Sequence, residues 1–191
     1  MTRRLVGVAQ KSGFYWAFDA DSGKVVWTTW VGPFSEPGGL AQGAAFDERL
    51  YVAVANLENT PHFIRQRSCP RGVCAGDLRA GQAPIWGGSW AALDPAPGRI
   101  LWQTAEPQNA RVYGSPVVAN GVVFVGSLAS GGSQMFALSA RTGEILWKFE
   151  AGGSVSSGPA VVDGRVYWGA GFGLFGGTPG DKFYIFSIDG A

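Results

Sequence analysis

Apolar residues along this chain come in short runs closed by turn-forming residues. Runs such as VVFVGS (122–127), RVYWGA (165–170) and RILWQT (99–104) are rich in β-branched and aromatic side chains, and Gly, Asn, Asp or Pro bounds them. No window sustains an apolar stripe at the 3.6-residue period of a helix. The pattern predicts an all-β protein of short strands joined by tight turns.

The runs recur in a fixed order. AFDADSGKVVW (17–27), ALDPAPGRILW (92–102) and ALSARTGEILW (137–147) align without a gap, so Ala17, Ala92 and Ala137 correspond, as do Gly23, Gly98 and Gly143, and Trp27, Trp102 and Trp147. A second motif interleaves with this one: GAAFDERLYVAVA (43–55), GSPVVANGVVFVGS (114–127) and SGPAVVDGRVYWGA (157–170) each read as apolar run, two-residue turn, apolar run. Asn120-Gly121 and Asp163-Gly164 are strong signals for type I′ hairpins, and Asp47-Glu48 is a poorer version. Gly23, Gly98 and Gly143 close the other turn at a position that suits a left-handed backbone.

Four strands per repeat, here termed inner, second, third and outer, describe the blade of a β-propeller. The last two copies are 45 residues apart, an ordinary blade spacing, whereas the first two are 75 apart. The surplus is an expected loop insertion at 57–89, between the second and third strands of the second blade. The chain is expected to begin within one blade and end within another. The expected architecture is therefore a single partial domain over 1–191: an incomplete propeller of about three and a half four-stranded antiparallel blades, too short an arc to close.

Composition supports this and excludes other classes. Glycine supplies 30 of 191 residues, as a turn-rich β protein requires, and 46% hydrophobic content with 8 Trp and 12 Phe rules out a disordered glycine-rich chain. A net charge of +1 with 15% charged residues provides no basic patch for nucleic acid or an anionic membrane. No run is long and apolar enough to span a membrane. His62 stands alone, so a histidine metal cluster or a nucleophile–histidine pair has too few members, and GGSVSSG (152–158) matches no phosphate-binding loop.

The spacing Ala-x-Asp-x-x-x-Gly-x-x-x-Trp, followed by SSGPAVVDGRVYWG, resembles the repeat of quinoprotein β-propellers, the pyrroloquinoline quinone (PQQ) alcohol dehydrogenases and their non-catalytic relatives. The segment VGVAQKSGFYWAFDADSGKVVW and the tail WGAGFGLFGGTPGDKFYIFSIDG most resemble the C-terminal half of polyvinyl alcohol dehydrogenase-like proteins. The resemblance implies PQQ, with calcium, in the complete protein, an alcohol substrate, and a periplasmic or secreted location. Trp27, Trp102 and Trp147 are then expected to pack between blades rather than touch a cofactor. A tricarboxylate quinone would need cations and hydroxyl or amide donors near the propeller axis, for which Gln42, Arg111, Ser115 and Ser157 are the best placed.

Departures from the family are equally specific. Quinoprotein dehydrogenases typically place adjacent cysteines against the quinone, but Cys69 and Cys74 are separated, and no catalytic base or Cys-x-x-Cys-His haem motif can be mapped. With Pro70 and Gly72 between them, the two cysteines read as a small disulfide clamp of an oxidising compartment, with free thiols as the alternative. MTRRLVGVAQ has a basic start without the apolar core of a signal peptide, so an exported parent would carry its signal upstream.

Two function classes follow. One is the C-terminal portion of a PQQ-dependent alcohol dehydrogenase, contributing one side of the cofactor funnel. The other is a non-catalytic scaffold of the same repeats that binds protein, with Phe172, Leu174 and Phe175 as candidate contact groups. In either, the expected partner is the missing N-terminal half of the propeller or a second copy of the chain.

Overall fold

The computed structural model describes residues 3–41, 43–64 and 83–187, and every regular element within them is a strand. Fourteen strands form four antiparallel sheets taken in chain order. Blade 1 holds β1 (Leu5–Ala9), β2 (Phe14–Asp19) and β3 (Val25–Trp30). Blade 2 holds β4 (Ala45–Phe46), β5 (Leu50–Val54), β6 (Ser89–Leu93) and β7 (Ile100–Ala105). Blade 3 holds β8 (Val117–Ala119), β9 (Val122–Gly126), β10 (Met135–Ser139) and β11 (Ile145–Phe149). Blade 4 holds β12 (Ala160–Val162), β13 (Arg165–Ala170) and β14 (Lys182–Ser187). Blade 1 thus shows second, third and outer strands, blade 4 shows inner, second and third, and the described residues form an open propeller arc.

The turns explain why the chain folds back where it does. Asn120 and Gly121 (φ 49° and 76°), like Asp163 and Gly164 (φ 46° and 71°), occupy the left-handed region at both central positions, as a I′ hairpin demands. Asp47 lacks a positive φ; its carboxylate instead accepts the Arg49 N–H at 3.0 Å, an Asx-type turn. Gly98 and Gly143, both at φ 72°, close the third-to-outer turns. Beside each lies a shift of strand register, between Ala92 and Leu93 and between Ala137 and Leu138, so the bulge recurs with the repeat.

Side chains alternate across a strand, so each blade shows one set to the blade before it and another to the blade after. Tyr51, Trp90 and Trp102 of blade 2 meet Val123, Val125, Phe136 and Leu138 of blade 3 in one buried cluster. Leu50, Val52 and Leu93, one residue out of phase, meet Tyr15 and Val31 on the blade 1 side. Met135, Phe124 and Trp147 of blade 3 meet Trp168, Tyr184 and Phe186 of blade 4. The core is therefore three seams between sheets.

Tryptophan and glycine meet across two of these seams. Trp102 donates its indole N–H to Ala140 O of blade 3 at 3.0 Å, and Thr104 donates its hydroxyl to Gly143 O at 2.6 Å. A Cβ on Gly143 would lie 2.6 Å from the Trp102 ring. One blade earlier, Trp27 donates to Pro95 O at 2.9 Å and Thr29 to Gly98 O at 2.6 Å, with the Trp27 ring against Gly98.

Candidate functional site

Strands alternate in direction, so the outer-to-inner linkers and the second-to-third loops share one face of the arc. Loops from blades 2, 3 and 4 converge there on a cleft of about 340 Å³, lined by Asn59, Gln108, Asn109, Ala110, Arg111, Leu128, Ala129, Ser130, Gly131 and Gly176. Its volume is within the range of small-molecule sites, but its walls are mostly polar.

Glu106 holds the linker that lines one side of this cleft. The residue is buried, and its carboxylate accepts the backbone N–H groups of Gln108 and Ala110, both at 2.7 Å, and the Ser127 hydroxyl at 2.9 Å. Four acceptor lone-pair sites on one carboxylate suit a turn that offers several donors at once. Gln108 reaches onward to Ser133 O at 2.7 Å, tying the linker to the blade 3 loop.

Asn56 does the same for the long segment between β5 and β6. Fully buried at φ 46°, it brings its side-chain amide nitrogen within 3.0 Å of Thr60 O and 2.9 Å of both Trp86 O and Gly87 O, and accepts the Thr60 N–H at 2.9 Å. A β-bridge between His62 and Ile85 extends this neck. His62 is buried with its Nε2 unpartnered, and burial holds its pKa below the ordinary histidine value, against the smaller effect of Thr60 O near Nδ1.

Arg111 stands on the cleft wall. It donates Nη1 to Phe175 O at 2.8 Å, while its Nε is buried without a partner. Tyr113 stacks on Phe172 at 5.9 Å and meets Phe175 at 5.1 Å; Phe175 sits at φ 53°, a strained position for an aromatic residue, and Leu174 beside it is exposed. The GFGLFGG loop is thus clamped by Arg111 and Tyr113 with Leu174 turned to solvent.

The sequence-selected residues fall in different places. Ser115 and Ser157 come together at the starts of the inner strands: the Ser115 hydroxyl rests against Gly43, a Cβ on Gly158 would lie 2.8 Å from Ser115 O, and Ser157 O accepts the Trp168 indole N–H at 2.7 Å. Arg111 lines the cleft, and neither serine does. Gln42, Cys69 and Cys74 lie outside the described residues. Among the described residues no three of His, Cys, Asp or Glu gather as a metal site, and no helix is long and apolar enough to cross a membrane. Glu106, Asn56 and Tyr113 were not selected from sequence. Asn56 alone carried a signal, an asparagine at the mouth of the expected insertion.

Comparison with known proteins places this arc. Residues 87–181 match the family model described as outer membrane protein assembly factor BamB. A polyvinylalcohol dehydrogenase of Pseudomonas sp is 30% identical over 220 residues, covering 98% of this chain and 31% of the relative. The chain is thus similar to the quinoprotein, PQQ-type β-propellers along nearly its whole length. A second polyvinylalcohol dehydrogenase, from Sphingopyxis sp., is 26% identical over 96% of this chain and 30% of its own length. The solved quinohemoprotein alcohol dehydrogenase ADHIIG of Pseudomonas putida HK5 shares the fold with a TM-score of 0.61 at 14% identity, over 98% of this chain and 33% of that one. The chain thus spans less than a third of the length of its curated relatives. Within it, the PQQ-type repeat accounts for strands, turns and seams, while the cleft is built from the linkers and loops between them.

Proposed function

We propose that this chain is one arc of a PQQ-dependent alcohol dehydrogenase-like propeller and contributes one side of its cofactor funnel. The observation that supports this is the match to polyvinylalcohol dehydrogenase along 98% of the chain, which takes in the loops as well as the blades. The cleft suits a carboxylate-bearing group: Arg111 brings a guanidinium with an unpartnered Nε, and Asn59 and Ser130 bring an amide and a hydroxyl. Ser115 and Ser157 are taken up in packing between inner strands, so in this reading they shape the funnel wall while Arg111 holds the ligand. A bound quinone supplies a two-electron acceptor for an alcohol carbon. The residues of this arc orient it and exclude water; the base and the onward electron acceptor belong to the remainder of a longer protein.

Absorbance titration of the chain with PQQ, with and without calcium, tests the reading. Saturable binding that Arg111→Ala weakens about tenfold, the loss of one charge-assisted contact, is the expected result. Binding indifferent to Arg111, or none at all, rejects it. With PQQ and calcium added, the chain alone is expected to give no dye-coupled oxidation of polyvinyl or secondary alcohols above a no-protein control.

The BamB-type match over 87–181 favours a second reading, a protein-binding scaffold that uses the loop face. Leu174 is exposed beside the Tyr113, Phe172 and Phe175 cluster, a fitting centre for such a contact. Failure of PQQ to bind, together with saturable binding of an extended apolar peptide that Leu174→Asp abolishes, is the outcome that selects it.

A further inference from the structure

Arg111 is the one charged group among the described residues that line the cleft, and the polar side chains of the remaining wall belong to Asn59, Gln108, Asn109 and Ser130. Two of these are held in place by the backbone. Asn59 and Asn109 each close a turn in the left-handed region, at φ 52° and 55°, with their N–H groups on Asn56 O at 3.0 Å and Glu106 O at 3.1 Å. Both turns stand on a buried polar residue, Asn56 in one and Glu106 in the other. Left-handed backbone is costly for a non-glycine residue and gathers where a side chain is aimed for use.

The fold does not use up these side chains. Among the described residues the Asn59 amide and the Ser130 hydroxyl make no hydrogen bond, and Asn109 commits only its Oδ1, to the Trp86 N–H at 3.2 Å. Carboxamides and a hydroxyl both donate and accept, as the hydroxyls of a ligand do.

The Asn109 bond also brings an aromatic group to the rim. Trp86 is the most exposed of the eight tryptophans, at 52%, and its ring has no aromatic partner among the described residues. Its backbone is fixed on both sides, by Asn109 Oδ1 at the N–H and by the Asn56 amide nitrogen, 2.9 Å from its O. A large flat side chain on a fixed backbone loses little conformational freedom when a ligand covers it.

We propose that Trp86, Asn59, Asn109 and Ser130 form a saccharide subsite. The flat C–H face of a pyranose ring with equatorial hydroxyls lies on the Trp86 indole, and those hydroxyls bond the two amides and the serine. A purely apolar ligand would leave the amides unpaired, and an anion would find its charge partner only at Arg111. Under the cofactor reading above this is the substrate side of the cleft, with Arg111 left to the quinone; saccharide binding itself does not require that reading.

Isothermal titration calorimetry of the chain with cellotetraose, in the absence of PQQ, tests the proposal. Saturable binding with a Kd of about 1 mM or tighter is expected. A polyethylene glycol of similar length, whose ether oxygens accept but do not donate, is expected not to bind. Trp86→Ala is expected to weaken binding about tenfold or more, and Trp86→Phe much less. Asn59→Gly, which removes the amide without straining the backbone, is expected to weaken it about fivefold. Trp86 enters the fold through its backbone atoms, so its variants are expected to melt as the parent does, which separates lost binding from lost structure. No binding of cellotetraose, equal binding of the polyether, or binding indifferent to Trp86→Ala or to Asn59→Gly would each overturn the proposal. Because PQQ is absent throughout, such a failure is distinct from failure of the cofactor reading, which the PQQ titration decides on its own.

Discussion

Trp102 and Trp147 occupy the same place in consecutive blades and meet different surroundings. Trp102 is buried, with its indole N–H on Ala140 O and its ring over the Gly143 turn of the next blade. Trp147 is half-buried and rests edge-on against Phe186 at 5.0 Å, and no third-to-outer turn of blade 4 is present among the described residues to receive it. The tryptophan is therefore half of an interaction whose other half is a glycine turn one blade on. What a repeat residue contributes depends on whether its neighbour is there.

The largest expected effect tests that comparison directly. Trp102→Ala is expected to cost about 3–5 kcal/mol and Trp147→Ala clearly less, read from denaturant melts of both variants. Equal losses would mean that the ring acts within its own blade. Next come two glycines of like conformation. Gly143→Ala is expected to cost about 2–4 kcal/mol, because left-handed strain adds to a Cβ pressed against Trp102, while Gly23→Ala, with open space, carries strain alone at about 1 kcal/mol. A similar cost at both positions would remove the turn as the receiver of tryptophan.

Smaller effects separate the loop face from the seams. Asn56→Ala strands several carbonyls at the neck of the long segment and is expected to cost about 2 kcal/mol, with faster proteolysis between residues 57 and 88 as the confirming readout. Unchanged proteolysis would show that the β-bridge at His62 suffices. His62 gives the smallest effect. Folding lowers its pKa below the 6.5 of a free histidine, so on acidification the unfolded chain takes up the proton first and stability falls as pH drops below about 6.5. The slope is at most about 1.4 kcal/mol per pH unit, and His62→Gln is expected to remove it. A slope that survives the substitution would assign the acid sensitivity to carboxylates.

Much of the fold was legible because its signals are local. Asn120-Gly121 and Asp163-Gly164 announce hairpins through their own backbone preference, and alternating apolar runs announce strands two-faced enough to stack. The cleft was less legible. Arg111, Ser115 and Ser157 read as one group because all three lie near inner-strand starts, yet Arg111 turns to Phe175 and the cleft, while the serines close against glycines of neighbouring blades. Glu106 carried no signal, since nothing in EPQNA shows that two residues of its own linker and a serine from the next blade aim donors at it.

By itself the sequence determined the blade: the strand lengths, the hairpin turns, the glycine that turns left-handed and the tryptophan that follows it. These are set within a few residues by allowed backbone angles and side-chain alternation. Only the tertiary structure decided which copies of that blade are covered. Leu50 and Val6 are near-equivalent side chains in equivalent register, and one is buried while the other is exposed because among the described residues only Leu50 has a blade before it. Burial belongs to the pair of surfaces that meet, and a single strand carries only one of them.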